Sequence, residues 1–452
     1  MAERKRRAKL GIIATAFVLW LMLASIMGAS ASYFDSEQAI VSLTGFTSSR
    51  WTQTTRADFQ LDVRANVDID RQPDDVILSG RTEFLYAFRG GNSRSFWRYN
   101  TSTTTWGTLA NAPALLRDEG GALASDGDRY IYAIHGGNRQ FWRYDTSYNL
   151  WSTMAPTPNN VRLGGGLSYD GKGGFYALRG DSNNGFWRYN VATDAWAVLI
   201  NTPGTVSDGG CLVSDQKNFV FAIQGNGLSA FWRYNVTSNS WSTMAPVPYQ
   251  VRYGGAMTYD GIDSIYALTG WSQPYFLRYS ISENHWYTLS NIPSAVSYGG
   301  SLAFCYPSTL FAFSGGGTSR YWQYAISTGT WSAAISAPGT VGVGGALTNG
   351  PLMFSRAGTL TSVTCDTGKA GSSILGLFWS EALASGTDIT FEMRASDTLS
   401  SGAPSGPWIG LGGTSPVISG LPSGRYIQWR ATLTTSNLHL TPVLQEVRIY
   451  YV

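Results

Sequence analysis

The sequence is poor in charge, in cysteine and in histidine, and each shortage excludes a class of protein. Only 13% of the 452 residues are charged, while 43% are hydrophobic, so the chain is neither disordered nor a coiled coil. Three cysteines at wide spacing, Cys211, Cys305 and Cys365, form no disulfide framework, and no Cys/His pattern indicates zinc. We expect these cysteines to be buried and to pack as small hydrophobic side chains. We expect neither a metal nor another cofactor.

A basic excess is also missing from most of the chain. The formal net charge is +3, but residues 1–31 hold five of the 32 basic residues and one of the 29 acidic residues. The remainder therefore has 27 basic residues against 28 acidic ones. Nucleic-acid-binding proteins usually carry a strong basic excess, so we expect no nucleic-acid partner.

The first 31 residues have the pattern of an export or anchoring signal. Residues 3–9 are basic, residues 10–29 form an uncharged apolar run, and Ala29-Ser30-Ala31 offers small residues at a cleavage position. The run predicts an N-terminal hydrophobic helix, either a cleaved signal peptide or a retained membrane anchor. Either alternative places the residues after 32 outside the cell or on its surface, with membrane contact only through this segment.

A repeat of 45 residues fills the middle of the chain, which is rich in glycine (52) and in aromatic residues. A repeat of this length predicts a propeller or a solenoid, and the absence of helical periodicity excludes helical solenoids. Four residue types recur in phase six times: Tyr99, Tyr144, Tyr189, Tyr234, Tyr279 and Tyr324; Trp106, Trp151, Trp196, Trp241, Trp286 and Trp331; Pro113, Pro158, Pro203, Pro248, Pro293 and Pro338; and Gly120, Gly165, Gly210, Gly255, Gly300 and Gly345.

Each repeat reads as four short strands, which predicts an all-β fold. In one repeat these are residues 165–169, 175–178, 186–189 and the strand around Trp196, with Asp170-Gly171 as a hairpin turn. Four antiparallel strands make one propeller blade. Residues 81–350 then form six blades, and residues 343–349 complete the first blade, which has no inner strand of its own. Seven blades, one of them irregular, are the alternative.

The repeat resembles the kelch repeat found in galactose-oxidase-like propellers. The family marks are Gly-Gly at the end of strand two, as in Gly90-Gly91, and a Tyr and a Trp separated by six residues, as in Tyr99 and Trp106. The resemblance implies a kelch-type β-propeller but says almost nothing about activity, because one fold hosts many functions. A copper site of the galactose-oxidase type needs two histidines together, which the sequence does not provide.

The flanking segments predict one further β unit. Residues 351–452 alternate apolar and polar residues between Gly and Pro, which is typical of a β-sandwich. They resemble accessory sandwich modules of secreted proteins. Within the N-terminal segment 32–80, residues 50–80 are too short to fold alone, so we expect them to join this sandwich, with the propeller inserted into it.

The repeated side chains are expected to be structural. In-phase aromatic residues suit packing between blades better than sugar binding. The repeated arginines lie mid-strand, where an inter-blade hydrogen-bonding or stacking role is expected: Arg98, Arg143, Arg188, Arg233 and Arg278.

A ligand site is better sought where the repeats differ, at the ends of strand two and before each Gly-Gly. Loops at both positions gather at one end of a propeller. Converging arginines there suit a carboxylate or a sulfated or uronic glycan, with aromatic residues for stacking. A solvated rim paired with Asp118, Glu119 and Asp208 is the alternative. The residues predicted to bind ligand are Arg89, His135, Arg179, Gln224, Arg117, Arg162, Arg252, Tyr253, Trp271 and Tyr298.

The sequence contains no recognisable catalytic motif. It therefore favours an exported, non-catalytic protein that binds a glycan or an extracellular protein. A carbohydrate hydrolase, lyase or oxidase is the first alternative, because Asp118, Glu119 and Asp208 can be imagined to meet as a carboxylate pair. A structural component of a cell-surface layer or fibre is the second. It is suggested by Ala31–Glu37, which resembles the mature start of camelysin-type surface-fibre proteins.

Overall fold

The computed structural model describes residues 49–70, 74–116, 118 and 120–452, and these divide into two compact units. One unit combines the described residues up to Ser79 with Phe354–Val452, and the other is Gly80–Met353. The predicted N-terminal hydrophobic helix lies outside the described residues. Among the described residues, no helix is both long and apolar enough to cross a membrane.

The first unit contains one short helix, α1 (Arg56–Gln60), and two principal antiparallel sheets. Its strands are β1 (Ser49–Gln53), β2 (Val63–Ala65), β3 (Val67–Asp68), β4 (Ile77–Leu78), β31 (Ala357–Thr361), β32 (Cys365–Asp366), β33 (Ile374–Ala382), β34 (Thr387–Ser396), β35 (Leu399–Ser400), β36 (Ala403–Pro404), β37 (Ile409–Gly412), β38 (Tyr426–Thr435) and β39 (Val443–Tyr451).

These two sheets form a β-sandwich built from chain segments that precede and follow the second unit in the sequence. One sheet has the order β1-β39-β33 and the other the order β2-β31-β38-β34-β37. Alternate side chains of β34 are buried, and Phe391 lies 4.3 Å between ring centroids from Trp379 of the opposite sheet. The segment before residue 80 supplies β1 and β2, so it belongs to the sheets of the sandwich.

The second unit contains the repeats. Its strands are β5 (Gly80–Thr82), β6 (Phe84–Phe88), β7 (Phe96–Asn100), β8 (Thr105–Thr108), β9 (Ala122–Ser125), β10 (Tyr130–Ile134), β11 (Phe141–Asp145), β12 (Leu150–Met154), β13 (Gly166–Tyr169), β14 (Gly174–Leu178), β15 (Phe186–Asn190), β16 (Ala195–Val198), β17 (Cys211–Ser214), β18 (Phe219–Ile223), β19 (Phe231–Asn235), β20 (Ser240–Thr243), β21 (Ala256–Tyr259), β22 (Ser264–Leu268), β23 (Phe276–Ser280), β24 (His285–Thr288), β25 (Ser301–Cys305), β26 (Thr309–Phe313), β27 (Tyr321–Ala325), β28 (Thr330–Ala333), β29 (Ala346–Asn349) and, at its end, β30 (Leu352–Phe354).

Strands β6–β29 form six antiparallel four-stranded sheets, the blades of a β-propeller. Blade 1 has the order β29-β6-β7-β8, and blades 2 to 6 are β9–β12, β13–β16, β17–β20, β21–β24 and β25–β28. The inner strand of blade 1 comes from the far end of the repeat region, because Ala346 pairs with Phe88 and Asn349 with Leu85. The predictions of six blades and of a ring closed by residues 343–349 are therefore confirmed.

The recurring tryptophans join neighbouring blades. In blade 3, the Trp196 ring packs against Phe141 of blade 2, and its Nε1–H donates to the Ala155 carbonyl across the junction. The equivalent bond from Trp106 reaches Ile335 at 2.9 Å and joins blade 1 to blade 6. All six tryptophans make this bond: Trp106 to Ile335, Trp151 to Ala110, Trp196 to Ala155, Trp241 to Ile200, Trp286 to Ala245 and Trp331 to Ser290.

The recurring arginines stack within a blade, whereas the sequence predicted a role between blades. The Arg98 guanidinium lies 4.2 Å from the centre of the Phe84 ring in blade 1. Arg143 and Arg233 stand 4.4 Å from Tyr130 and Phe219 in the same way. The aromatic residue begins strand two and is the diagonal neighbour of the arginine on strand three, so both lie on one face of the blade.

Candidate functional site

Two sets of loops meet at one end of the propeller, which we call the mouth. Because the blade strands are antiparallel, the loops between strands two and three lie at the same end as the connections into the next inner strand. Backbone bonds join the two sets, for example from Arg162 N to Arg179 O at 3.1 Å and from Arg252 N to Thr269 O at 3.1 Å. The two groups of predicted residues are therefore neighbours within each blade.

Glycine is required where the blades meet at this end. Gly209 has a φ of +79°, and a Cβ there would lie 1.9 Å from the Arg252 carbonyl oxygen of the next blade. Gly164 makes the same close approach to Ser207, at 2.0 Å. Any side chain at these positions would push the connections apart. The mouth is thus built from direct backbone contacts, which hold the side chains between them in fixed places.

A cavity of 310 Å³ lies at the mouth and is lined from four blades. Its polar side carries Asp118, Arg162 and Asp181, and the Arg162 Nη1 stands 4.0 Å from Asp181 Oδ2. The side chains of this pair are 49% and 45% exposed, so both have capacity for further hydrogen bonds. The remaining lining residues are Leu163, Tyr298 and Val343.

Aromatic residues border the cavity on the side of blades 5 and 6. The rings of Tyr253 and Tyr298 stack at 4.1 Å with an interplanar angle of 14°. Trp271 lies in the same group of loops, 37% exposed, with the Arg252 guanidinium 4.9 Å from its ring centre. Tyr253, Trp271, Tyr298 and Arg252 were all predicted to bind ligand. The structure stacks Tyr253 on Tyr298 and Arg252 on Trp271, and of the four Tyr298 alone lines the cavity.

Trp271 has a backbone conformation that is unfavourable for its residue type. Its φ is +56°, at the position that follows the strand-two glycine. The equivalent residues in other blades are Gly91, Asp181 and Asn226, all at positive φ, and glycine, aspartate and asparagine tolerate this region best. A bulky indole there stores local strain, which is typical of residues kept for a function.

Other predicted residues contact their own blade instead of the cavity. Arg89 Nε donates to the Thr340 carbonyl at 3.2 Å, and Gln224 Nε2 donates to the Thr205 carbonyl at 3.0 Å. His135 is 8% exposed and packs edge-on against Trp142. The Nε atoms of Arg179 and Arg252 are buried with no hydrogen-bond partner among the described atoms. Arg117 lies outside the described residues.

The structure therefore brings Arg162 and Tyr298 to the cavity and places Tyr253 behind Tyr298. Arg162 is the one basic residue among the described residues that line it, and the predicted Arg89, Arg179 and Arg252 are not among them. Sequence reasoning missed Asp181. The signal was its position, one residue after Gly180, where three repeats have glycine and the other three have Asp181, Asn226 and Trp271.

The cysteines, the candidate metal ligands and the central channel of the described residues show no further reactive or binding site. Burial raises the pKa of the Cys211 and Cys305 thiols to about 12, so both stay protonated and unreactive near neutrality. Within the described ranges, no group of three His, Cys, Asp or Glu residues is placed to hold a metal ion. The central channel has a volume of 120 Å³, room for about four waters at ~30 Å³ each.

Comparisons with known proteins find similarity in structure but not in sequence. No protein-family model matches the chain, and no curated protein matches it. Among solved structures, a chain of the nidogen/laminin complex matches with a TM-score of 0.47 and 9% identity, covering 58% of this chain and 97% of that one. YjhT matches with a TM-score of 0.42 and 13% identity, covering 55% and 90%. Because both scores are below 0.5, the propeller assignment rests on the six sheets themselves.

Proposed function

We propose that this protein is a non-catalytic binding protein that recognises a carbohydrate at the mouth of its propeller. The observation that carries the proposal is a single cavity with two different sides. Tyr298, backed by Tyr253, offers an aromatic surface, while Asp118, Arg162 and Asp181 offer charged hydrogen-bonding groups. A sugar ring has an apolar face for the first side and a rim of hydroxyls for the second.

The shape and charge of the mouth favour a glycan residue over a flat protein surface. A cavity of 310 Å³ falls within the range of small-molecule sites, about 300–1,000 Å³. Among the described residues that line it, two are aspartates and one is an arginine, so carboxylates outnumber cations there. We therefore propose neutral hexose units as the ligand, in place of the acidic glycans that converging arginines would bind.

We further propose that the repeats are of the kelch type and that the protein acts outside the cell. The first proposal is supported by the Gly-Gly pairs and by the fixed spacing of Tyr99 and Trp106, which recurs in every blade. The second is supported by the basic and apolar pattern of residues 1–31. Secretion of the full chain by its native cells, followed by N-terminal sequencing, tests export and cleavage together.

A glycan array probed with the full chain tests the carbohydrate proposal. The matched variants are Tyr253→Ala/Tyr298→Ala, which removes the aromatic surface, and Tyr148→Ala, which removes a tyrosine that is 75% exposed at the opposite end of blade 2. We expect neutral glycans to bind the wild type and the Tyr148 variant but not the double variant. Silence across the array, or binding that the double variant retains, would contradict the proposal.

Glycoside hydrolysis is the second candidate, because Asp118 and Asp181 place two carboxyl groups in one cavity. Prolonged incubation with each glycan bound on the array, followed by product analysis, separates the two functions. Release of sugar that is lost in both Asp118→Asn and Asp181→Asn would establish an enzyme. Unchanged glycan would support a binding protein.

A further inference from the structure

A second cavity lies at the opposite end of the propeller, between blades 3 and 4, and it arises where the repeat pattern breaks. Strand two begins with an aromatic residue in blades 1, 2 and 4, with Ser264 in blade 5 and Thr309 in blade 6, and with Gly174 in blade 3, which is the one with no side chain. The Arg188 guanidinium occupies the vacated space, because a Cβ on Gly174 would lie 2.6 Å from Arg188 Nη2. Arg188 lies 5.9 Å from the centre of the Tyr176 ring, farther than its counterparts in blades 1, 2 and 4 lie from their rings, and it pairs with Asp170, with its Nε 3.0 Å from Oδ2.

Arg188 and Asp170 line a cavity of 380 Å³ whose other walls are partly apolar and aromatic. Tyr176 and Leu199 line it from blade 3, and Tyr234 and Val236 line it from blade 4. Burial raises the pKa of Tyr176 to about 12, so its hydroxyl keeps its proton at neutral pH and can donate a hydrogen bond. The volume lies within the range of small-molecule sites.

Positive charge is concentrated at this cavity. Lys172 and Lys217 both line it, although the chain has only five lysines. The hairpin tips that carry them are joined, because the Lys172 ammonium donates to the Lys217 carbonyl at 2.7 Å. With Arg188 offset by Asp170, the two lysines leave a net charge of +2 on the described lining residues. Two of five lysines at one cavity is a marked concentration of positive charge in a chain in which only 13% of the residues are charged.

We propose that the cavity between blades 3 and 4 binds a small organic anion, with its carboxylate at Lys172 and Lys217 and its body against Tyr176 and Tyr234. The ammonium groups attract and hydrogen-bond the carboxylate, and the ring walls enclose the rest of the ligand. This site is at the end opposite to the mouth and does not depend on the function proposed for the mouth.

Isothermal titration of the full chain with sodium D-glucuronate tests the proposal, with D-glucose as the neutral counterpart. The Lys172→Met/Lys217→Met variant removes the charge and keeps an unbranched side chain that is one atom shorter. The Gly174→Phe variant introduces the residue that blades 1 and 4 use, and its ring would displace Arg188 and Asp170, which line the cavity. The φ of Gly174 is outside the left-handed region. Lys369→Met, in the sandwich unit, is the matched control for the loss of a lysine.

We expect glucuronate to bind and glucose not to bind. The double lysine variant should weaken glucuronate binding about tenfold or more, since it removes two charge-assisted hydrogen bonds to the carboxylate. Gly174→Phe should abolish binding, and Lys369→Met should leave it unchanged. Absence of glucuronate binding, equal binding of glucose, or unchanged affinity in the double lysine variant would overturn the proposal. Because the lysines are exposed, that variant tests it even if Gly174→Phe fails to fold.

Discussion

Asp62 should make the stability of the sandwich depend on pH between about 4 and 6. Its carboxyl group is 6% exposed and accepts hydrogen bonds from Gln53 Nε2 at 3.1 Å and from the Val363 backbone N–H at 2.9 Å. Gln53 in turn accepts a bond from Trp429 Nε1 at 3.0 Å. Burial outweighs these bonds and raises the pKa of Asp62 from 3.8 to about 6.

The sign and size of the effect follow from linkage. The folded protein binds the Asp62 proton more tightly than the unfolded chain does, so this stabilisation is complete below pH 4 and is lost as the pH rises through 6. A shift of two pKa units is worth at most about 3 kcal/mol, and partial solvation of the group brings the expectation to about 1–3 kcal/mol. An asparagine at this position does not titrate, so Asp62→Asn should lack this dependence.

Urea unfolding of the full chain between pH 4 and pH 7.5 measures the effect. Other carboxyl groups titrate in the same range, so the informative quantity is the free energy of unfolding of the wild type minus that of Asp62→Asn at each pH. We expect this difference to fall by about 1–3 kcal/mol from pH 4 to pH 7 and then to stay level. A difference that is flat over the whole range would refute the reasoning about Asp62.

Three further predictions concern the propeller. Trp106→Phe removes the bond to Ile335 that closes the ring and should lower the free energy of unfolding by about 1–3 kcal/mol in calorimetry; a loss below about 0.5 kcal/mol would contradict the closing role. Gly209→Ala should unfold the propeller or cost more than about 3 kcal/mol, whereas Gly127→Ala, where a Cβ meets no atom within 4 Å, should cost only about 1 kcal/mol; equal costs in thermal denaturation would contradict the close approach. Trp271→Asn should stabilise the protein by about 1 kcal/mol while weakening glycan binding, and a loss of stability would show that the indole is structural.

The architecture of the propeller could be predicted from the sequence because every blade packs against its neighbour through the same kinds of residue. Tyr, Trp and Gly-Gly recur at 45 residues since every junction needs the same rings and the same close backbone approach. Even the closing strand could be predicted, because Gly344-Gly345-Ala346-Leu347 matches the inner strands of the other blades and the first blade lacks one. Strand pairing of Ala346 with Phe88 confirms it.

The candidate site was less predictable, because side-chain direction is set by contacts that a repeat does not reveal. Arg89 and Gln224 were expected at the mouth, but each donates to a carbonyl of the adjoining connection, at Thr340 and Thr205. Asp181 follows Gly180 with a φ of +59° and lies 4.0 Å from Arg162, a contact that its position in the repeat does not specify. The prediction of stacking aromatic residues at Tyr253 and Tyr298 rested on their place before Gly-Gly, which the structure puts at the mouth.

Affinity of the full chain for its preferred neutral glycan, measured by titration calorimetry, tests the central claim most directly. The comparison is between the wild type, Tyr253→Ala/Tyr298→Ala and Tyr148→Ala. We predict one site per chain, affinity reduced about tenfold or more in the double variant, and wild-type affinity in the Tyr148 control. Equal affinity in all three proteins, or no binding by the wild type, would contradict the account of the mouth as a carbohydrate site.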